Sequence, residues 1–234
     1  MSNVFGYILP VEEMAALCRE QGVPFILDAA QSAGTLPVKL NALGAEFIAA
    51  PGHKGLLGPS GIGGFVMNEE MNKALTPLIA GGTGSMSASL EMPPTLPDRY
   101  EAGTPNLPGI MGLGVALRYL QEVGLDALHR REMALTERFL SGLRGNEHIR
   151  IPGPADAKGR VGVISVDFLR QDNAEVAFQL EEQYGILTRC GLHCAPLAHK
   201  TLGTYPEGTV RFSVGYATTE EEVDAAIRAI HDLA

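Results

Sequence analysis

The residues with the clearest capacity for chemistry lie in Pro51-Gly52-His53-Lys54-Gly55-Leu56-Leu57-Gly58-Pro59-Ser60-Gly61-Ile62-Gly63-Gly64, where one lysine sits among six glycines and two prolines. Glycine at this density lets backbone turn with positive φ and approach a ligand closely. A lysine held in such a loop and partly desolvated can lose its proton and form a Schiff base with a carbonyl compound. A solvated loop lysine is the alternative. Upstream, Val23-Pro24-Phe25-Ile26-Leu27-Asp28-Ala29-Ala30-Gln31 is an apolar run that ends in a carboxylate and then an amide. That pattern predicts a strand of a parallel sheet whose C-terminal end faces a site. A third stretch, Arg189-Cys190-Gly191-Leu192-His193-Cys194, holds two of the three cysteines. Its spacing is neither a zinc pattern nor a Cys-x-x-Cys redox motif, so no metal is expected. One reactive thiol on a mobile loop, with Arg189 and His193 nearby to favour the thiolate, fits better. Arg211, within Thr209-Val210-Arg211-Phe212-Ser213, offers a planar fork for a carboxylate, unless it is a surface arginine on an edge strand.

These residues need elements to position them. Pro10–Gln21 has the period of an amphipathic helix, with Val11, Met14, Ala15, Leu17 and Cys18 on one face and Gly22 as its stop. Strands are expected at 25–27 and 47–50, on either side of a connector carrying Val38 and Leu40, and Phe65-Met67 reads as a buried strand. This rhythm argues for α/β architecture with a mainly parallel sheet under helices. A short helix at 71–75 is followed by a long irregular region, 81–106, of the length that is usually functional or else a linker. Two helices follow, from Ile110 and from 125 to about 143. Further on come strands at 149–151, 161–168, 186–189 and 210–212 and helices at 174–182 and 220–233. Thr218-Thr219-Glu220-Glu221-Glu222 is an N-cap followed by first-turn acids. The expected division is a partial large domain over 1–108, connecting helices over 109–145 and a smaller domain over 146–234, with Pro152-Gly153-Pro154 as a hinge.

The 234 residues are 45% apolar, carry a net charge of −9 and have a pI near 5.1. That balance argues against nucleic acid or an anionic membrane as partner. No apolar run approaches the ~18–20 residues of a membrane-spanning helix, and three cysteines, an odd count that makes no disulfide framework, suit a reducing compartment, the cytoplasm.

A strand-end carboxylate ahead of a strand-flanked lysine suits pyridoxal phosphate (PLP), the lysine taking the aldehyde and Asp28 the protonated ring nitrogen. Asp28-Ala-Ala-Gln31 followed by Gly52-His53-Lys54 resembles the class V aminotransferase superfamily, and within it the cysteine desulfurases. Gly191-x-His-Cys194-Ala resembles the SufS-like and selenocysteine-lyase-like group. The resemblance implies a fold-type I PLP-dependent enzyme that converts L-cysteine (or L-selenocysteine) to alanine and leaves a persulfide for a sulfur-acceptor protein. It implies that Lys54 carries the cofactor and moves a proton, that Gln31 donates to the ring oxygen, and that His53 stacks or shuttles a proton. It also implies that Cys194 attacks the substrate sulfur, that Arg211, Asn3 and Arg189 receive the substrate, with Asn3 also near the cofactor's ring oxygen, and that Thr104 reaches a partner's cofactor phosphate in a homodimer. Cys190 is taken as incidental, though it could close a disulfide on Cys194. Two features depart from the pattern. Pro51 stands where serine or threonine commonly binds phosphate, and Ser2-Asn3-Val4-Phe5-Gly6 resembles a segment from well inside such chains. A fragment is therefore expected. Another class V enzyme, with Cys194 a bystander, and a non-catalytic fragment are the alternatives.

Overall fold

The computed structural model describes residues 1–154 and 156–234, which form two compact units: Pro10–Glu122, and Met1–Leu9 together with Val123–Ala234. These limits differ from the expected divisions at 108 and 145. Gly153, expected in a hinge, lies inside the second unit, where a Cβ on it would sit 3.1 Å from the Cβ of Phe5.

In the first unit, α1 (Val11–Glu20) starts after Pro10 and stops before Gly22, whose φ of 64° would strain other residues. β1 (Ile26–Asp28), the single turn α2 (Leu40–Leu43) and β2 (Phe47–Pro51) form a right-sized parallel crossover, and β3 (Gly63–Met67) returns antiparallel to β2. The sheet order is β1-β2-β3, so this sheet is mixed and not the mainly parallel one expected. The Gly-rich turn between β2 and β3 is short enough to reverse the chain directly, which removes the need for a crossover. α3 (Glu69–Ala74), capped by the Asn68 side chain on Met71 N, and α4 (Leu107–Val123) complete the unit. Its core is Ala29, Ala45 and Ile48, with Phe25, Leu27, Val38 and Leu40 packed around them.

Two expected burials differ. Of the α1 face only Ala15 is buried, while Leu17 is 59% exposed, because the helix packs on the one turn of α2. Phe65 and Val66 of β3, which reads as a buried strand in the sequence, are exposed. Phe65 keeps ring contacts with a stacked Phe47 at 5.1 Å and an edge-on Tyr100 at 5.7 Å while 42% exposed.

The second unit opens with α5 (Leu125–Leu143) and β4 (Ile149–Arg150), then β5 (Val163–Phe168) and α6 (Asn173–Tyr184). β6 (Arg189–Gly191), α7 (Pro196–Leu202), β7 (Thr209–Ser213) and α8 (Glu220–Leu233) follow. β6 begins at Arg189, three residues later than the expected strand at 186. The antiparallel sheet has the order β4-β5-β7-β6. Strand alternation sends Ile164, Val166, Val210 and Phe212 into a core with Phe139 and Leu140 of α5, Val176 and Leu180 of α6 and Ile230 of α8. α8 carries a full capping box, Thr219 with Glu222.

Residues 1–9 lie on this same unit and are tied down by polar groups. Ser165 Oγ donates to Val4 O at 2.6 Å, and Val161 N donates to Gly6 O at 3.0 Å. Arg160, 1% exposed, donates to the carbonyls of Pro154, Phe5 and Val163. Burial pulls its guanidinium down to about 10. Gly6 is required here, since a Cβ would lie 2.4 Å from Val163 O. Among the described residues no helix is long and apolar enough to cross a membrane.

Replacing Arg160 by Met leaves three carbonyls without their donor. The expected loss of stability is about 2 kcal/mol or more, read by urea unfolding. A loss within the error of that measurement contradicts the anchoring of residues 1–9.

Candidate functional site

The predicted residues fall into two sets, one in each unit. In the first, β1 and β2 run parallel with Asp28 opposite Ala49, so both chains leave the sheet at the same edge. Asp28 is the last residue of β1, and Lys54 lies three residues beyond the end of β2. Open α/β sheets bind ligands at that edge, where strand ends give way to loops. Ala29 N donates to Ala49 O at 2.8 Å and extends the pairing one residue past Asp28. Asp28 Oδ1 accepts from Ala30 N at 2.8 Å, which starts the turn that carries Gln31, half-buried.

The lysine loop is held against that turn by bare backbone. Gly34 has φ 84°, and a Cβ on it would lie 2.0 Å from Gly55 O. A Cβ on Gly55 would lie 2.5 Å from Ala33 O. Within the loop, Leu57 N donates to Lys54 O and Gly58 N to Gly52 O, each at 2.8 Å. Leu57 takes φ 58°, an uncommon conformation for a residue with a branched side chain. Lys54 and His53 are exposed on this fixed backbone.

Asn106 was missed by the sequence reading. Its Nδ2 donates to Gly61 O at 3.2 Å, and its Oδ1 accepts from Gly109 N at 3.1 Å, so one side chain caps α4 and holds the far end of the lysine loop. The signal was available as an Asn directly before an apolar helix. Thr104 is exposed beside Gly103, whose N–H donates to Gly82 O at 2.8 Å.

In the second unit the sheet itself aligns the cationic residues. Arg211 is opposite Ser165 on one side and Arg189 on the other, so these three share the sheet face that carries residues 1–9. β7 is an inner strand and Arg211 is half-buried, unlike an arginine on an edge strand. Arg211 Nη1 donates to Asn3 O at 3.0 Å, while burial and then Arg189 pull its guanidinium below the ordinary value. Asn3 Nδ2 donates in turn to His193 O at 2.6 Å. Arg189 Nη2 lies 3.5 Å from Cys194 Sγ, and Cys194 is exposed between β6 and α7.

Two expectations change. The thiol sits on a short connection between β6 and α7, and its neighbour His193 is 2% exposed and bonded at both backbone and side chain. His193 is not a cation beside the thiol. Burial, followed by Arg211 and His199, lowers it to about 4, so it is neutral near pH 7. Cys190 is opposite Val210 and therefore faces the helix-covered core, away from the face shared by Arg189 and Arg211. Burial also pushes its thiol up. A disulfide from Cys190 to Cys194 does not fit that orientation.

The family model described as aminotransferase class-V matches residues 1–226. A cysteine desulfurase of Klebsiella pneumoniae is 37% identical across the whole chain, which covers 57% of that protein. One from Pectobacterium atrosepticum is 36% identical, again across the whole chain and 57% of the relative. The chain thus spans under two thirds of the length of these relatives. Among solved structures, the apo cysteine desulfurase from Thermococcus onnurineus NA1 superposes with a TM-score of 0.90 at 35% identity, over 100% of this chain and 58% of that one. The Escherichia coli cysteine desulfurase CsdA, in an S-sulfonic acid form, superposes with a TM-score of 0.88 at 28% identity, over 99% and 57%.

Two outcomes follow from the geometry. Gly34→Ala meets both the positive φ and the Gly55 carbonyl, whereas Gly22→Ala, with nothing within 4 Å, meets only the φ. Gly22→Ala is expected to cost about 1 kcal/mol and Gly34→Ala clearly more, by urea unfolding; equal losses contradict the backbone contact. The lowered His193 value also has a sign. The unfolded histidine takes up a proton near its ordinary 6.5, the folded one only near 4, so this group's contribution is lost as pH falls through that window. His193→Gln should flatten the fall in stability between pH 6.5 and 4, and an unchanged pH profile contradicts the burial of a neutral ring.

Proposed function

Because the chain belongs to the class-V aminotransferase family and carries part of the fold-type I architecture of its PLP-dependent members, we propose that it acts as a PLP-dependent cysteine desulfurase. The observation that carries this is the placement of Asp28 at the last position of β1 and of Lys54 three residues beyond the end of the neighbouring parallel strand β2. An exposed amine and a carboxylate so placed suit the aldehyde and ring nitrogen of PLP. The fit is incomplete at the phosphate, because Pro51 has neither N–H nor hydroxyl to give.

PLP held there would supply an electron sink for negative charge at the substrate Cα. Lys54 Nζ would be the base that takes the Cα proton. The Asp28 carboxylate holds the proton of the ring nitrogen, and the Gln31 amide donates to the ring oxygen. His53, adjacent to Lys54 and exposed, is the residue of this set able to stack or to move a proton. Arg211, with Arg189 and the Asn3 amide on the same sheet face, orients the carboxylate of L-cysteine or L-selenocysteine. Cys194 Sγ attacks the substrate sulfur. The bond from substrate carbon to sulfur breaks, the enzyme keeps the sulfur as a persulfide for an acceptor protein, and the three-carbon remainder leaves as alanine after protonation. Thr104, exposed on its loop, is available to a second copy in a homodimer. A soluble cytoplasmic setting agrees with free cysteines.

Pro51 favours an alternative in which the chain by itself takes up PLP weakly or not at all. Titration of the 234-residue chain with PLP decides between them. A near-violet absorbance band is expected that Lys54→Ala lacks and that L-cysteine shifts, with alanine and sulfide released in the presence of a thiol reductant. Cys194→Ala should keep the band and lose at least about tenfold of the sulfide release, the factor that an intact nucleophile commonly exceeds. Full turnover by Cys194→Ala would instead mark a different class V reaction. A chain with no band beyond the Lys54→Ala blank contradicts PLP binding by this chain.

A further inference from the structure

Cys194 sits in an unfavourable backbone. His193 has φ 50° and Cys194 φ 61°, two successive left-handed residues with side chains. Each such residue costs on the order of 1–3 kcal/mol and persists only where its surroundings over-determine it. The surroundings here are specific. His193 Nε2 lies 3.2 Å from Thr209 O and 3.3 Å from Thr209 Oγ1. A backbone carbonyl only accepts, so Nε2 carries the proton. Thr209 Oγ1 donates to Ser165 Oγ at 3.0 Å, which donates to Val4 O at 2.6 Å. Thr209, Ser165 and Val4 are all fully buried. The line therefore runs from the cysteine connection through β7 and β5 to the segment that holds Asn3, and Asn3 Nδ2 closes it on His193 O.

The ring's other nitrogen, Nδ1, is buried without a partner among the described residues. The neighbouring His199, its ring centroid 5.5 Å away, is bonded through Nδ1 to Thr204 Oγ1 at 2.7 Å. His193 thus makes its side-chain bond through Nε2 alone, and that bond is directed at β7, the strand of Arg211.

We infer that His193 is a positioning residue: its Nε2–H bond to Thr209 holds the left-handed turn that presents Cys194 Sγ beside Arg189. The inference rests on Cys194 being the nucleophile of the proposed function, but its test needs no cofactor. A neutral anchor of this kind keeps the sulfur outward on a fixed backbone and ties it to β7, the strand that carries Arg211 opposite Arg189. His193 touches neither substrate nor cofactor in this account and acts through Cys194.

The test compares His193→Gln, His193→Asn and His193→Ala in the 234-residue chain. Glutamine can place an N–H near the position of Nε2; asparagine, one bond shorter, cannot. Iodoacetamide labelling of Cys194, followed by peptide mass spectrometry with Cys18 and Cys190 as internal references, is expected to run within about twofold of wild type in His193→Gln. Labelling should be about tenfold slower in His193→Asn and His193→Ala, the scale of one lost hydrogen bond, at a midpoint of thermal unfolding that remains measurable. Wild-type rates in all three variants overturn the inference, as does an equal loss in all three including glutamine. Where the alanine and asparagine variants fail to fold, the imidazole ¹⁵N spectrum of the wild-type chain decides. A neutral His193 protonated on Nε2 supports the anchor, and a ring protonated on Nδ1 or on both nitrogens near pH 7 overturns it.

Discussion

The approach of Gly34 to Gly55, backbone against backbone, is the constraint on which the lysine loop depends. β1 and β2 deliver Asp28 and the Lys54 loop to one edge of the sheet, but parallel strands alone leave the loops beyond them free to diverge. With no side chain at either glycine, the turn after Asp28 and the loop around Lys54 close to contact distance. Asn106 then holds the far end of the loop at Gly61 while it caps α4. A lysine can remain exposed and still be placed this well because its position is set by backbone and by a neighbour's amide. Its own side chain is exposed and makes no hydrogen bond or ion pair among the described residues.

The second unit solves the same problem with side chains. The helix-covered face of its sheet is an ordinary apolar core. The other face carries Ser165, Arg211 and Arg189 in one row, with residues 1–9 laid over part of it. Buried polar groups are costly unless paired, and here they pair with one another: Thr209 with Ser165, Ser165 with Val4, Asn3 with His193, Arg211 with Asn3. These bonds join the connection that bears Cys194 to strands whose positions the core already fixes. Arg160, itself buried, gives three carbonyls of the same region their donor.

Much of the local structure was legible in the sequence because it rests on local causes. α5 and α8 match their expected spans, and Gly22 and Thr219 mark helix ends for the reasons that predicted them. Lys54, Asp28 and Cys194 stand out in the sequence as candidates because glycine density, a strand-end carboxylate and a cysteine after a strand each constrain what a loop can do. Other features depended on pairing at a distance. The antiparallel return of β3, the start of β6 at Arg189 and the orientation of Cys190 follow from register, which no local pattern states. The faces of α1 and β3 show the same limit in another form, since apolar spacing identifies the side that avoids water but not the surface that covers it. His193 was legible as a titratable neighbour of the thiol. Its burial and its bond to Thr209, which make it neutral, could be found only from the fold.

Under the proposed function, Lys54 is the residue that the site offers to a carbonyl cofactor. The most direct measurement is to mix the 234-residue chain with PLP, reduce with borohydride, and map the modified lysine by peptide mass spectrometry. The account predicts a pyridoxyl group on Lys54, with Lys39 and Lys73 of the same unit essentially unmodified at low PLP excess. Modification spread over the exposed lysines, or confined to one other than Lys54, would contradict it.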